Sequence, residues 1–191
     1  MISLTATAQP GKVATYPLAA VDAFRLLHVQ TNRNSGLQLS SSSKQLFLFV
    51  FLSPECPLCQ QYSLNLNQIA SQYREDVAIM GIIPGRSYDT KTIQAFIKKY
   101  RISFPVYIDS KKEASNYLEA SVTPEVVLLE KENGTLRRLY SGAIDDKVQS
   151  LKVKKLEASN DYARNAIALT LQKKEILISR TEPVGCLIND Y

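Results

Sequence analysis

Seven consecutive apolar residues, Leu46 to Leu52 (LFLFVFL), stand between Gln45 and a Ser53-Pro54-Glu55 break. A continuous run of that length predicts a strand buried on both faces of a sheet. Beyond the break the period changes. Tyr62, Leu66, Ile69, Ala70 and Tyr73 recur mostly at spacings of three and four, which predicts a helix from Pro57 to about Tyr73. Pro57 falls near the first helical position, where its missing N–H costs nothing. Val77 to Ile83 predicts a second buried strand, closed by Pro84-Gly85, and Ile93, Phe96, Ile97 and Tyr100 mark a second helix. Phe104 to Ile108 reads as a short strand and Lys111 to Ala120 as a short helix. Glu125 to Glu130 and Thr135 to Tyr140 flank Asn133-Gly134, a dipeptide suited to the positive backbone angles of a tight hairpin. Lys154 to Leu171 reads as a last helix, followed by an extended stretch, Glu175 to Ile178, and a tail to Tyr191. Toward the N-terminus, Val13 to Val29 is apolar but mixed in period and reads as one or two strands. Thr31 to Ser43 (TNRNSGLQLSSSS) reads as a polar loop.

This order is strand, helix, strand, helix, strand, helix, then a hairpin and a closing helix. Strands that alternate with helices predict an α/β fold with a parallel core, to which the hairpin adds antiparallel edge strands. The expected organisation is one domain over residues 13–175, with 1–12 ahead of it and a tail, 176–191, that contains Cys186. Cys56 lands at the carboxyl end of a buried strand and at the start of the following helix, where open α/β sheets place their chemistry.

Composition narrows the field. The chain has 191 residues, 45% of them hydrophobic and 21% charged, which excludes a default of disorder. The net charge of +5 is spread among acids (Lys98, Lys99 and Arg101 beside Asp109), with no nucleic-acid motif, and so reads as a solvated surface. No apolar run is long enough to cross a bilayer as a helix. His28 is the single histidine, and no Cys/His cluster is present to hold zinc; hydrolases built on several histidines are excluded with it. His28, in an apolar stretch, reads as structural, and Asp145-Asp146 as a cap or solvated loop. No phosphate loop or dinucleotide fingerprint calls for a nucleotide cofactor. Residues 1–12 read as a leader remnant or a disordered N-terminus; Ala6-Thr7-Ala8 has the A-x-A form of a secretory cleavage site, which favours the leader and a periplasmic or secreted location.

Cys56-Pro57-Leu58-Cys59 is where the chemistry concentrates. At a helix start the first sulfur of C-x-x-C is exposed and faces unpaired N–H groups and the positive end of the helix dipole, which favour thiolate. The second lies one turn inside. The thiolate attacks a substrate disulfide, a mixed disulfide forms, and the second thiol resolves it. Cys56 is therefore the candidate nucleophile and Cys59 the resolving thiol. Thr123-Pro124 directly precedes an apolar strand, an awkward place for a proline that cannot donate to a ladder. A cis bond there would turn the Thr123 backbone toward the cysteines, as a wall to which an extended substrate adds like a strand.

Together these motifs resemble the thioredoxin-like superfamily. FLSPECPLCQQYSLNLNQIASQY and TPEVVLLEKENGTLRRLYSGAIDD are similar to bacterial redoxin-domain proteins related to peroxiredoxins and exported thiol-disulfide reductases. The likeness covers roughly Lys44 to Asp146. It implies a thioredoxin-like fold: a central mixed sheet flanked by helices, with N-terminal strands and an α/β insertion, residues 89–108, after the second core strand. It also implies no cofactor beyond a redox-active disulfide, with protein or peptide disulfides as substrates and an upstream dithiol as electron donor. Gly85 and Gly142-Ala143-Ile144-Asp145-Asp146 match the subgroup without a chemical role. Val50 stands where thioredoxin has a buried acid, and Glu55 precedes Cys56 and opposes its thiolate. Both departures favour a reductant or mid-potential exchanger over an extreme oxidant.

A thiol peroxidase of peroxiredoxin type, with Cys56 as peroxidatic cysteine, is the alternative. Its P-x-x-x-T-x-x-C pattern meets Phe49 in place of the proline and Ser53 in place of the threonine, and its arginine has candidates in Arg86 and Arg137. A binding module with a vestigial disulfide is a third reading. Cys186, in TEPVGCLI, has three readings: a buried structural thiol, a relay thiol on a tail that folds back to Cys56, or half of an intermolecular disulfide. Cys59 closes a far smaller loop with Cys56, which favours an auxiliary role for Cys186.

Overall fold

The computed structural model describes residues 13–150 and 153–188. The chain begins with β1 (Thr15–Pro17), α1 (Leu18–Asp22), β2 (Leu26–His28) and β3 (Arg33–Ser35). The core units follow: β4 (Leu46–Phe51), α2 (Pro57–Gln72), β5 (Val77–Pro84), α3 (Thr90–Lys99), β6 (Val106–Asp109) and α4 (Glu113–Tyr117). Then come β7 (Val122–Thr123), β8 (Glu125–Glu132) and β9 (Thr135–Gly142). The chain closes with β10 (Val148–Ser150), β11 (Val153–Lys154), α5 (Tyr162–Leu171) and β12 (Cys186–Leu187). The main sheet has the order β1-β9-β8-β4-β5-β6-β2-β3. Within it β4, β5 and β6 are parallel, and β8 runs antiparallel beside β4. This is the mixed sheet flanked by helices that the sequence predicts.

The central strand shows why the apolar run forms it. Leu46, Leu48 and Val50 join one core cluster with Leu58, Cys59, Leu66 and Ile69 of α2 and Ala163, Ala166 and Ile167 of α5. Phe47, Phe49 and Phe51 point to the opposite face and pack with Leu18 and Val21 of α1 and Ala114 of α4. Every residue of β4 is buried. Full burial of one such side chain stabilises the fold by roughly 1.5–3 kcal/mol, so two covered faces select this run for the centre of the sheet.

Several expectations need correction. The hairpin β8–β9 is not at the edge: β8 lies against β4, and β1 and β3 are the outer strands. The apolar stretch from Val13 contains a helix, α1, between β1 and β2. Five residues are too few to display a helical period, and its buried pair, Leu18 and Val21, is all that marks it. The polar loop contains β3, which pairs with β2 as a sheet edge, where polar side chains meet water. The last helix starts at Tyr162, not Lys154, with the Asp161 carboxylate accepting from Arg164 N–H as its cap. Residues 155–160 are mostly exposed, with no apolar face to hold a helix. Glu175 to Ile178 makes no strand; sheet contact begins with a bridge between Arg180 and Ser141. The leader reading of residues 1–12 lies outside the described residues. Among those described, no helix is long and apolar enough to cross a membrane.

Candidate active site

At the end of β4, Leu52 N–H still bonds to Ile82 O, and the chain then turns so that Cys56 N–H donates to Ser53 O at 3.2 Å. Cys56 sits in extended conformation at the N-cap of α2, with Pro57 in the first turn. The position faces the positive end of a sixteen-residue helix, which favours a sulfur anion there. Cys59, one turn inside, is fully buried. Burial pushes its thiol up to about 12, against the opposing pull of Ser53 N–H, 3.3 Å from the sulfur, and of the Thr123 hydroxyl.

The Thr123–Pro124 peptide bond is cis, and Thr123 O lies 3.1 Å from Cys56 Sγ. With Cys56 as a thiol that distance is a hydrogen bond; with Cys56 in a disulfide, where the sulfur has no proton, it is a close contact. Glu125 arranges this wall from below. Its buried carboxylate accepts from Ser121 N–H, Ser121 Oγ and Val122 N–H, at 2.8, 3.2 and 3.3 Å. It thereby holds the turn that presents Thr123.

Cys56 is bonded to Cys186, 130 positions further along the chain, with Cα atoms 6.1 Å apart, while Cys59 is free. This corrects two expectations. Cys186 is not a bystander to Cys56 but its covalent partner, and Cys56 is only 2% exposed because the tail covers it. The long loop closes because the tail is held by more than the sulfur. β12 pairs antiparallel with β7, Cys186 opposite Thr123 and Leu187 opposite Val122. Ile188 N–H donates to Ser121 O at 3.0 Å, and Thr123 Oγ1 approaches Cys186 O at 3.5 Å. Upstream, Ser141 N–H donates to Ser179 O, and Thr181 N–H to Ser141 O. Thr181 Oγ1 accepts from Ala143 N–H and pairs with Tyr140 Oη. Gly142 makes room for this clasp: a Cβ there would stand 2.2 Å from Thr181 O.

The other candidates fall on either side of the site. Pro57 and Ser53 flank the cysteines, and Ser53 Oγ is hydrogen-bonded to Tyr88 Oη at 2.9 Å. Glu55 is exposed, where water screens its opposition to the thiolate. Val50 is fully buried, and no carboxylate stands at that position. Arg137 pairs with Glu130, which lies opposite Leu46 at the far end of β4 from the cysteines. Arg86 is exposed. His28 accepts from Thr31 N–H and packs edge-on against Tyr107. Asp145 is buried and accepts from Tyr62 Oη and Lys147 N–H, and Asp146 pairs with Lys155. The Gly142–Asp146 stretch thus has a structural meaning: it seats the tail and ties α2 to the sheet. Sequence reasoning missed Glu125, Tyr88 and Thr181. Glu125 alone carried a signal, as an acid opening an otherwise apolar strand.

Fold and site together define a thioredoxin-like redoxin. The chain belongs to the AhpC/TSA family, which matches residues 20–149. Its fold is similar to that of an uncharacterised conserved protein from Geobacillus kaustophilus, at 19% identity and TM-score 0.75, over 88% of each chain. A hypothetical protein from Sinorhizobium meliloti shares it at 21% identity and TM-score 0.73, over 87% of this chain and 91% of that one. A thiol-disulfide oxidoreductase from Bacteroides fragilis shares it at 16% identity and TM-score 0.54, over 78% and 95%. A search of curated proteins finds no match.

Proposed function

We propose that the protein is a thiol–disulfide oxidoreductase that acts on protein or peptide disulfides through Cys56. The observation that carries this reading is the placement of Cys56: a helix N-terminal sulfur 3.1 Å from Thr123 O, disulfide-bonded to an extended strand that pairs with Thr123. An external substrate joined to Cys56 would occupy the same geometry. In the forward step the Cys56 thiolate attacks a substrate disulfide, forming a mixed disulfide and releasing one substrate thiolate. A second enzyme thiol, Cys59 or Cys186, then attacks Cys56 Sγ, frees the other substrate sulfur and leaves an enzyme disulfide. A dithiol donor returns both sulfurs to thiols. No cofactor takes part. The Ala6-Thr7-Ala8 sequence supports work outside the cytoplasm, where such a disulfide persists. N-terminal sequencing of secreted full-length material tests that location; a retained Met1 contradicts it.

One observation favours the peroxidase reading. A disulfide between Cys56 and a distant C-terminal cysteine is what remains when a peroxide oxidises Cys56 to sulfenic acid and Cys186 attacks it with loss of water. Against it stand Phe49 in place of proline and Arg137 at the far end of β4 from the cysteines. Insulin-disulfide reduction and hydrogen peroxide consumption, each with a Cys56→Ser control, separate the two. The first reading expects dithiol-driven insulin reduction that the control loses; peroxide turnover without insulin reduction would replace it with the second.

A further inference from the structure

The tail lies where a substrate would lie, and its fit is selective. Main-chain pairing of Cys186 with Thr123 and Leu187 with Val122 fixes an extended antiparallel path but tolerates many side chains. Selectivity comes from the alternation of faces. Cys186 and Ile188 pack against the core clusters, while Leu187 between them is 75% exposed. Position −1 is tighter still. A Cβ on Gly185 would stand 2.4 Å from Thr123 O, 2.8 Å from Thr123 C and 3.1 Å from Val122 Cβ. Two of these are backbone atoms of the wall itself, so a side chain at −1 displaces either the wall or the peptide.

We infer that Gly185-Cys186-Leu187-Ile188 is a tethered copy of the substrate, and that the Thr123 groove selects extended peptides whose reactive cysteine is preceded by glycine and followed two places on by an apolar residue. The inference rests on the proposed disulfide exchange at Cys56. The tether is short: four residues, Glu182 to Gly185, link the Thr181 clasp to Cys186. It keeps the mimic at high effective concentration, and an external peptide must displace it. Release needs no outside oxidant. The Cys59 thiolate attacks Cys56 Sγ, the Cys56–Cys59 bond forms as Cys56–Cys186 breaks, and the electron pair leaves on Cys186 Sγ, which takes a proton from water. The buried Cys59 thiol, with its raised pKa, makes this opening slow at neutral pH.

The test uses the reduced full chain carrying Cys59→Ser and Cys186→Ser, which leaves Cys56 as the single thiol and the groove empty of its covalent partner. Three peptides with the cysteine activated as a 2-thiopyridyl disulfide are offered: Gly-Cys-Leu-Ile, Leu-Cys-Leu-Ile and Gly-Cys-Leu-Asp. Release of 2-thiopyridone reports the rate. The first peptide is expected to react about tenfold faster than each of the others, the ratio that corresponds to one decade in affinity. Equal rates for all three, with the small reagent 2,2′-dipyridyl disulfide still reacting rapidly at Cys56, would overturn the inference and leave the exchange reading intact. Failure of even that reagent to react faster than with a Cys56→Ser chain would remove the exchange reading, and the inference with it. The single variant Cys186→Ser, which keeps both cysteines of α2, must give the same rank order of peptides; a different order counts against the inference.

Discussion

At the residue scale, Cys56 and Cys59 differ in environment more than in distance along the helix. Cys56 sits at the N-cap of α2, covered by the tail and bonded to Cys186, whereas Cys59 lies one turn inside, where burial raises its pKa to about 12. The thiolate is the nucleophile, so Cys59-dependent opening of the Cys56–Cys186 disulfide should accelerate about tenfold per pH unit between pH 7 and 10. Rapid acid quench and mapping of the disulfides at each pH measures it; a flat profile would contradict the burial argument. The same shift affects folding of the reduced chain. Because the folded pKa is raised, the stability linked to the neutral thiol is present below the free value of ~8.5 and is lost as pH climbs toward about 12. Glu125 acts by positioning. Replacing it with alanine leaves Ser121 N–H and Val122 N–H without their acceptor, at a cost of roughly 1–3 kcal/mol. Glu125→Ala should lower Tm and slow substrate exchange, while Glu125→Gln, which keeps an acceptor oxygen, recovers most of the exchange rate. Equal rates in wild type and Glu125→Ala would remove its role in shaping the wall.

At the element scale, the parts that position the cysteines were legible because their patterns are long. β4, α2 and β5 each carry enough apolar residues to display a period; the C-x-x-C motif falls at the start of α2 and the Thr-Pro motif just ahead of β8. α1, β3 and β12 were not legible: two to five residues show no period, and their placement depends on partners far away in sequence. The tail is the clearest case. Nothing local in TEPVGCLI states that Thr181 docks on Gly142 or that Gly185 passes 2.4 Å, at the place of a Cβ, from Thr123 O. Gly142 also has φ +132°, a conformation that side chains disfavour. Gly142→Val should therefore unseat Thr181 and reduce the yield of the Cys56–Cys186 disulfide under mild oxidation, while Cys56 gains reactivity toward small disulfides. An unchanged disulfide yield in a folded variant would show that the clasp does not guide the tail.

At the scale of the whole molecule, one strand connects the two cores to the site. β4 contributes Phe47, Phe49 and Phe51 to one face and Leu46, Leu48 and Val50 to the other, and its end delivers the chain to Cys56. Phe49→Ala should cost about 3–5 kcal/mol in a denaturant titration, since the buried ring leaves a cavity between covered layers. A loss under 1 kcal/mol would mean that this face is loosely packed. The sheet order, with β8 rather than an edge strand beside β4, sets Glu125 across from Phe51, and Thr123, two residues earlier, reaches Cys56 Sγ at 3.1 Å. From fold to site, the account depends on Cys56 being the sulfur that exchanges with substrate disulfides. The most direct measurement is mass-spectrometric mapping of the adduct formed when the reduced Cys59→Ser, Cys186→Ser chain meets oxidised insulin. The account predicts a stable mixed disulfide between Cys56 and an insulin cysteine, absent from a chain that also carries Cys56→Ser. No adduct with the folded protein, while hydrogen peroxide converts Cys56 to sulfenic acid, would contradict it.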